Sequence, residues 1–166
     1  MDGSRAKRRC LLLVEDNPGD VHLVREAFAR RPEPPEIVDV PDGIAALEYL
    51  RGDGEPPDLI LLDVNLPRMD GREFLAVAKN DESLRRIPIV VLSSVDAEAD
   101  VLELYDLRAN GYHVKPSDLA TLFELVERID EYWLHHSVLP GRNGKRRAGA
   151  ARSRSQRATE ARKTAG

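Results

Sequence analysis

The sequence predicts an α/β fold in which one open parallel sheet of five strands is covered by helices on both faces. Three observations predict it. Short apolar runs alternate five times with longer segments of helical periodicity, as a parallel sheet requires, because its strands are joined by crossover helices. Three of the apolar runs are almost uniformly hydrophobic, the pattern of strands buried on both faces. The chain has 166 residues, enough for one core and little more.

The first strand is CLLLV (Cys10–Val14), where Cys10 reads as a buried small hydrophobe. Val21, Val24 and Phe28 then share one helical face, and Pro32, Pro34 and Pro35 break the chain before the strand EIVDV (Glu36–Val40). Asp42 is placed to cap a second helix with Ala46, Leu47 and Leu50 inward. Pro56 and Pro57 precede a third strand, LILLD, over 59–63; Phe74 and Ala78 mark the third helix. IVVLS (Ile89–Ser93) is the fourth strand, and Val101, Leu104 and Tyr105 define the fourth helix. A short strand YHV over 112–114 leads into the clearest helix, with Ser117 as expected N-cap and Leu119, Leu122, Val126, Ile129 and Trp133 at helical spacing. Leu125 and Tyr132 are apolar beyond that stripe. They fit either extra core cover or a homodimer or partner surface.

Composition narrows the class. The chain is 42% hydrophobic and 33% charged with net charge −4, yet that figure averages two unlike parts. Residues 137–166 hold nine Lys/Arg against one acid, for +8, whereas 1–136 carry −12. We expect an N-terminal extension over 1–8, a domain over 9–136, and a disordered Arg/Ala/Gly/Ser-rich tail over 137–166 that lacks the apolar surface to offset its ordering entropy. A single cysteine excludes an internal disulfide and, without Cys/His spacing for zinc, points to a reducing cytoplasm. No apolar run approaches the ~20 residues of a membrane span. The basic start before CLLLV is no secretion signal, because the apolar run is short and ends in Glu15 and Asp16.

In an open parallel sheet, functional residues gather at the carboxyl ends of the strands. Here those ends carry Glu15 and Asp16, Asp63, Ser93 and, just past the last strand, Lys115. Three carboxylates in one shallow site repel one another unless a cation compensates. A hard divalent ion such as Mg²⁺, which takes oxygen ligands and pairs readily with phosphate, fits best. An ionised carboxylate can also attack phosphorus, and phosphoryl transfer asks the protein for positioning and charge neutralisation. Asp16 for the metal, Lys115 for charge and Ser93 as hydroxyl donor leave Asp63 to attack. Pro67 and Gly71 bracket a constrained turn suited to presenting the Asn65 backbone carbonyl to the metal.

The segments VEDNPGD, LLDVNLPRMDG, VVLSS and YHVKP, in that order and with intervals of 30 residues from Asp63 to Ser93 and 22 from Ser93 to Lys115, resemble the response-regulator receiver domain of two-component signalling. The resemblance covers about residues 9–136. It implies a flavodoxin-like sheet in the order 2-1-3-4-5 with five helices. It also implies that Asp63 accepts a phosphoryl group from a histidine kinase in an Mg²⁺-dependent reaction. Glu15 and Asp16 become the acidic pair, with Asp16 the more direct ligand; Asn65 offers its backbone oxygen, Ser93 bonds the phosphoryl group, Lys115 pairs with it, and Tyr112 is the aromatic switch. Ser93 stands where Thr is commoner in the family, keeping the hydroxyl and losing the methyl that restricts its rotamer. Through NPGDVHLVREAF and SLRRIPIVVLSS the chain is similar to stand-alone regulators paired with phytochrome-type kinases. In that family phosphorylation moves the loop after the fourth strand and turns the aromatic inward, altering the surface of the fourth helix, last strand and last helix.

Two other functions compete. A haloacid-dehalogenase-type phosphatase shares the Asp nucleophile and Mg²⁺ but needs a second Asp two residues on, where this chain has Asn65, which cannot transfer the proton. A nucleic-acid binder acting through the basic tail is the second; the tail has the charge but no aromatic for base stacking. A solvated extension and a contact with the kinase or the acidic domain are further uses open to it. Asp20 reads as a surface or helix-start charge and His135 and His136 as last-turn cations. No role is assigned to His113.

Overall fold

The structure, a computed structural model, describes residues 7–140. Most of the expected 1–8 extension and, beyond Pro140, the basic tail lie outside the described residues. The elements in chain order are β1 (Cys10–Val14), α1 (Pro18–Ala29), β2 (Glu36–Val40), α2 (Gly43–Arg51), β3 (Leu59–Leu62), α3 (Gly71–Asn80), β4 (Ile89–Ser93), α4 (Glu98–Asp106), β5 (Gly111–Val114) and α5 (Leu119–Ile129), which runs on into a π-helical segment, Asp130–His136.

The five strands are all parallel, in the order β2-β1-β3-β4-β5. Alternation along each strand divides the apolar runs between two cores. Leu12, Val14, Ile60, Leu62, Ile89 and Val91 face α2, α3 and α4, meeting Leu47, Leu50, Phe74, Leu75 and Leu104. Leu11, Leu13, Leu59, Leu61, Val90 and Leu92 face α1 and α5, meeting Val24, Phe28, Leu122, Val126 and Ile129. Both neighbours of every central residue are therefore buried, which is why β1, β3 and β4 carry no polar alternation. The sheet order matches the flavodoxin-like expectation.

Several local expectations need correction. The third strand ends at Leu62, so Asp63 lies just past it, although its N–H still donates to Val14 O at 3.0 Å. The last strand begins one residue earlier, at Gly111. The cap of α5 is Asp118 instead of Ser117: the Asp118 carboxylate accepts from Thr121 N at 2.8 Å, and an ionised acceptor at an N-cap gains from the helix dipole. Leu119 faces outward, and the wider turns after Ile129 bury Asp130 and Leu134 while Trp133 is only half-buried. In α4 only Leu104 is fully buried; Val101 is half-buried and Tyr105 exposed. Cys10 is half-buried, its Sγ 3.8 Å from the Tyr49 hydroxyl.

Candidate functional site

The site lies where the carboxyl ends of β1, β3, β4 and β5 meet. Val14 ends β1, and the next residue, Glu15, is held by its own N–H to Val40 O at 3.0 Å. The chain then turns at once into α1: the Asn17 side chain accepts from Gly19 N at 2.9 Å and from Asp20 N at 3.2 Å, and Pro18 opens the helix. This cap folds the first turn of α1 back over the strand ends. Glu15 is buried and Asp16 exposed beside it.

Asp63 is 8% exposed. Its Oδ1 accepts from Val64 N at 2.8 Å, and its Oδ2 faces Lys115 Nζ at 3.7 Å, beyond hydrogen-bond range. The following loop is pinned on three sides. Gly71 N donates to Val64 O at 2.8 Å, Gly43 N donates to Met69 O at 3.0 Å, and Arg68, in the left-handed region at φ 59°, reaches the buried Asp42 carboxylate at 2.7 Å. Gly71 is needed for contact, not for φ: a Cβ there would stand 2.4 Å from Asp63 O and 2.8 Å from Val64 Cα, both backbone atoms. Asn65 is exposed on this pinned loop, two residues past Asp63.

Ser93 ends β4 fully buried, its Oγ accepting a long 3.4 Å bond from Val95 N. Lys115 N donates to Ser93 O at 2.8 Å, fixing the lysine past the end of β5. Its ammonium donates to Glu15 Oε2 at 2.6 Å and to Asp20 Oδ2 at 3.0 Å. Burial alone lowers a lysine pKa, but the bonds to Glu15 and Asp20 and the charge of Asp63 outweigh it, so Lys115 is held above its ordinary value. Burial pushes the Glu15 carboxyl up; the Lys115 bond opposes this without cancelling it, and the Asp63 charge adds to it. Tyr112 is half-buried against the α2–α3–α4 core and its hydroxyl donates to Val95 O, so it already lies against the loop after β4. Burial, and then Asp100, raise its phenol pKa.

The fold thus gathers Glu15, Asp16, Asp63, Ser93 and Lys115 as the sequence predicts, with Asn65 and Tyr112 on adjoining segments. One participant was missed. Asp20, expected as a surface charge, contacts the lysine. The signal available was the Asn17-Pro18 start, which puts the first helical turn over the strand end. Among the described residues, one oxygen from each of Glu15, Asp16 and Asp63 lies within 4.8 Å of the others. All are hard donors, and the site holds more negative than positive charge, so the donor set fits a divalent ion of the Mg²⁺ or Mn²⁺ kind.

Comparison with known proteins agrees with this geometry. Residues 11–127 match the family described as response regulator receiver domain. Response regulator Rcp1 of Synechocystis sp. is 42% identical over 137 residues, spanning 80% of this chain and 93% of that protein. The crystal structure of the phosphorylated cyanobacterial phytochrome response regulator RcpA superposes with a TM-score of 0.76 at 47% identity, covering 81% of this chain and 99% of that one. The Mn²⁺-bound form of Rcp1 gives 0.75 at 40% identity, covering 80% and 99%. With the five-stranded order, the acidic cluster at its strand ends and these matches in agreement, the chain belongs to the response-regulator receiver family of two-component signalling.

Proposed function

We propose that the chain is a response regulator whose Asp63 takes a phosphoryl group from a histidine kinase. The observation that carries the reading is the approach of Glu15, Asp16 and Asp63 oxygens to within 4.8 Å, with Lys115 Nζ 3.7 Å from Asp63 Oδ2. Asp63 attacks phosphorus on the kinase phosphohistidine; the O–P bond forms as the P–N bond breaks, and the imidazole nitrogen recovers the electron pair. Mg²⁺, when bound, neutralises charge on phosphoryl oxygens. Glu15, Asp16, Asp63 and the Asn65 carbonyl are the residues suited to hold it. Lys115 pairs with a second phosphoryl oxygen and Ser93 Oγ donates to a third. The pinned loop over 64–71 keeps Asp63 in place for attack.

Asn65 supplies no proton transfer, so the bound phosphoryl group is hydrolysed slowly and external phosphomonoesters are not turned over. The domain spans 9–136 and works in the reducing cytoplasm; no helix among the described residues is long and apolar enough to cross a membrane. The likeness to RcpA, a phytochrome response regulator, favours a phytochrome-type kinase as input. Output passes through the surface of α4, β5 and α5 to a protein target. There Leu102, Tyr105, Val114, Leu119 and Tyr132 are exposed, and a homodimer through the last helix is one form it takes.

The test is transfer from a labelled, purified phytochrome-type kinase. Label moves to wild type in Mg²⁺, not to Asp63→Asn, and not after chelation of the metal. Transfer to Asp63→Asn at the wild-type rate would remove the proposal.

A further inference from the structure

We propose that Asp20 is a positioning residue for the phosphorylation reaction, anchoring the Lys115 ammonium to the first turn of α1 so that it does not close onto Asp63. The inference rests on the phosphoacceptor reading of Asp63. An ammonium has three N–H donors and no acceptor. One of the three goes to Glu15 Oε2 at 2.6 Å and one to Asp20 Oδ2 at 3.0 Å, while the nearest oxygen of Asp63 stays at 3.7 Å.

Asp63 Oδ1 already accepts from Val64 N, so Oδ2, the oxygen that faces the ammonium, is the one with both acceptor sites free of backbone bonds among the described residues. Lys115 is 15% exposed as a side chain, and Asp63 is its next carboxylate in distance. Removing the Asp20 charge leaves one N–H without its anion in a mostly buried place. The ammonium, already on Glu15, then closes the 3.7 Å gap to Asp63 Oδ2, masking the nucleophile and drawing its charge nearer the metal-binding oxygens. Asp20 is held for this task by its own N–H on Asn17 Oδ1 at 3.2 Å, which fixes where the first turn sits. The Asp20 side chain is 38% exposed and Glu15 still holds the ammonium at 2.6 Å, so the loss of this half-exposed pair costs little in folding.

The experiment compares full-length wild type, Asp20→Asn, Asp20→Glu, Lys115→Gln and the Asp20→Asn/Lys115→Gln double variant. Mn²⁺ affinity is read from the free-ion signal in electron paramagnetic resonance, and the rate of Asp63 phosphorylation from a small acyl phosphate in Mg²⁺. Asp20→Asn weakens Mn²⁺ binding by roughly threefold to tenfold, the size expected when the Lys115 unit charge shifts toward a divalent ion. It slows phosphorylation by a similar factor, with the thermal midpoint nearly unchanged. Asp20→Glu restores most of both. In the Lys115→Gln background, Asp20→Asn changes Mn²⁺ affinity by less than about twofold, because the residue acts through the lysine. Wild-type behaviour of Asp20→Asn, or an equal loss of affinity with and without Lys115, would overturn the proposal. A wild type that takes up no phosphoryl group at Asp63 would overturn the phosphoacceptor reading, and the Mn²⁺ cycle would then decide the anchoring of Lys115 alone.

Discussion

Replacing Gly71 by Ala tests whether the packing of α3 against the end of β3 holds the site together. At Gly71 a Cβ would sit 2.4 Å from Asp63 O and 2.8 Å from Val64 Cα, so reaching ordinary contact requires a displacement of about 1 Å. Neither neighbour is the tip of a flexible side chain, and the Gly71 N to Val64 O bond of 2.8 Å ties the two segments together. Overpacking of this kind costs about 1–3 kcal/mol, with backbone neighbours at the upper end. Ala gains about 0.5–1 kcal/mol over Gly in a helix, and the φ of Gly71 is not positive, so no strain is added there. The net loss is about 2 kcal/mol, equivalent to a fall in Tm of roughly 6–10 °C for a domain of this size. Because the displaced atoms carry Asp63, the rise in Tm produced by Mg²⁺ shrinks as well. The assay is thermal unfolding of wild type and Gly71→Ala, each with and without Mg²⁺. A variant as stable as wild type and with the full Mg²⁺ increment would show that α3 can move off the end of β3 without disturbing Asp63.

Two further outcomes follow from single side chains. Arg31 bonds the 1% exposed Asp130 side chain at 2.9 Å and also Glu127 at 2.7 Å and Glu131 at 3.1 Å, and Asp130 Oδ1 has no hydrogen-bond partner among the described residues. Arg31→Ala removes the guanidinium and leaves His135 Nε2, 3.3 Å from Asp130 Oδ2, as the smaller partner of the buried carboxylate; it costs about 3 kcal/mol in urea unfolding, with Asp130→Asn recovering part of the loss in the same chain. Burial holds the His113 imidazole below its ordinary value, so the unfolded chain binds that proton more readily. The contribution of neutral His113 is intact above pH about 6.5 and is lost as pH falls from there toward the folded value. His113→Gln lacks this dependence: the stability difference between wild type and variant, followed from pH 8 downward by urea unfolding, moves against wild type below about pH 6.5.

The sheet was legible because each central strand is buried twice. Leu11 to Val14, Leu59 to Leu62 and Ile89 to Leu92 have no exposed face to carry polar residues, and such runs between amphipathic segments fit few other folds. The strand order was not in the pattern itself; it came with the family resemblance. The residues brought together at the strand ends were readable for the same reason, since a parallel sheet places every carboxyl end on one edge. What escaped was decided by contacts remote in sequence. Asp20 meets Lys115 across 95 residues, which no periodicity announces. Ser117 and Asp118 are both good caps, and the choice depended on which one faced Thr121 N. The helix widens after Ile129, where Asp130 is buried against Arg31, so Leu134 takes the fully buried place and Trp133, reached by an i, i+4 extrapolation, packs against the core only in part. The half-buried Val101 and exposed Tyr105 leave Leu104 as the one fully buried side chain of α4, narrower than an apolar stripe suggests.

Whether Asp63 is the phosphoryl acceptor of a divalent-metal site is read most directly from the intact mass and peptide map of the full-length protein after incubation with Mg²⁺ and a small acyl phosphate. The expected result is a gain of one phosphoryl group, acid-stable and base-labile, confined to Asp63, absent when the metal is chelated and absent from Asp63→Asn. No adduct under these conditions, or an adduct on another residue that survives Asp63→Asn, would contradict it.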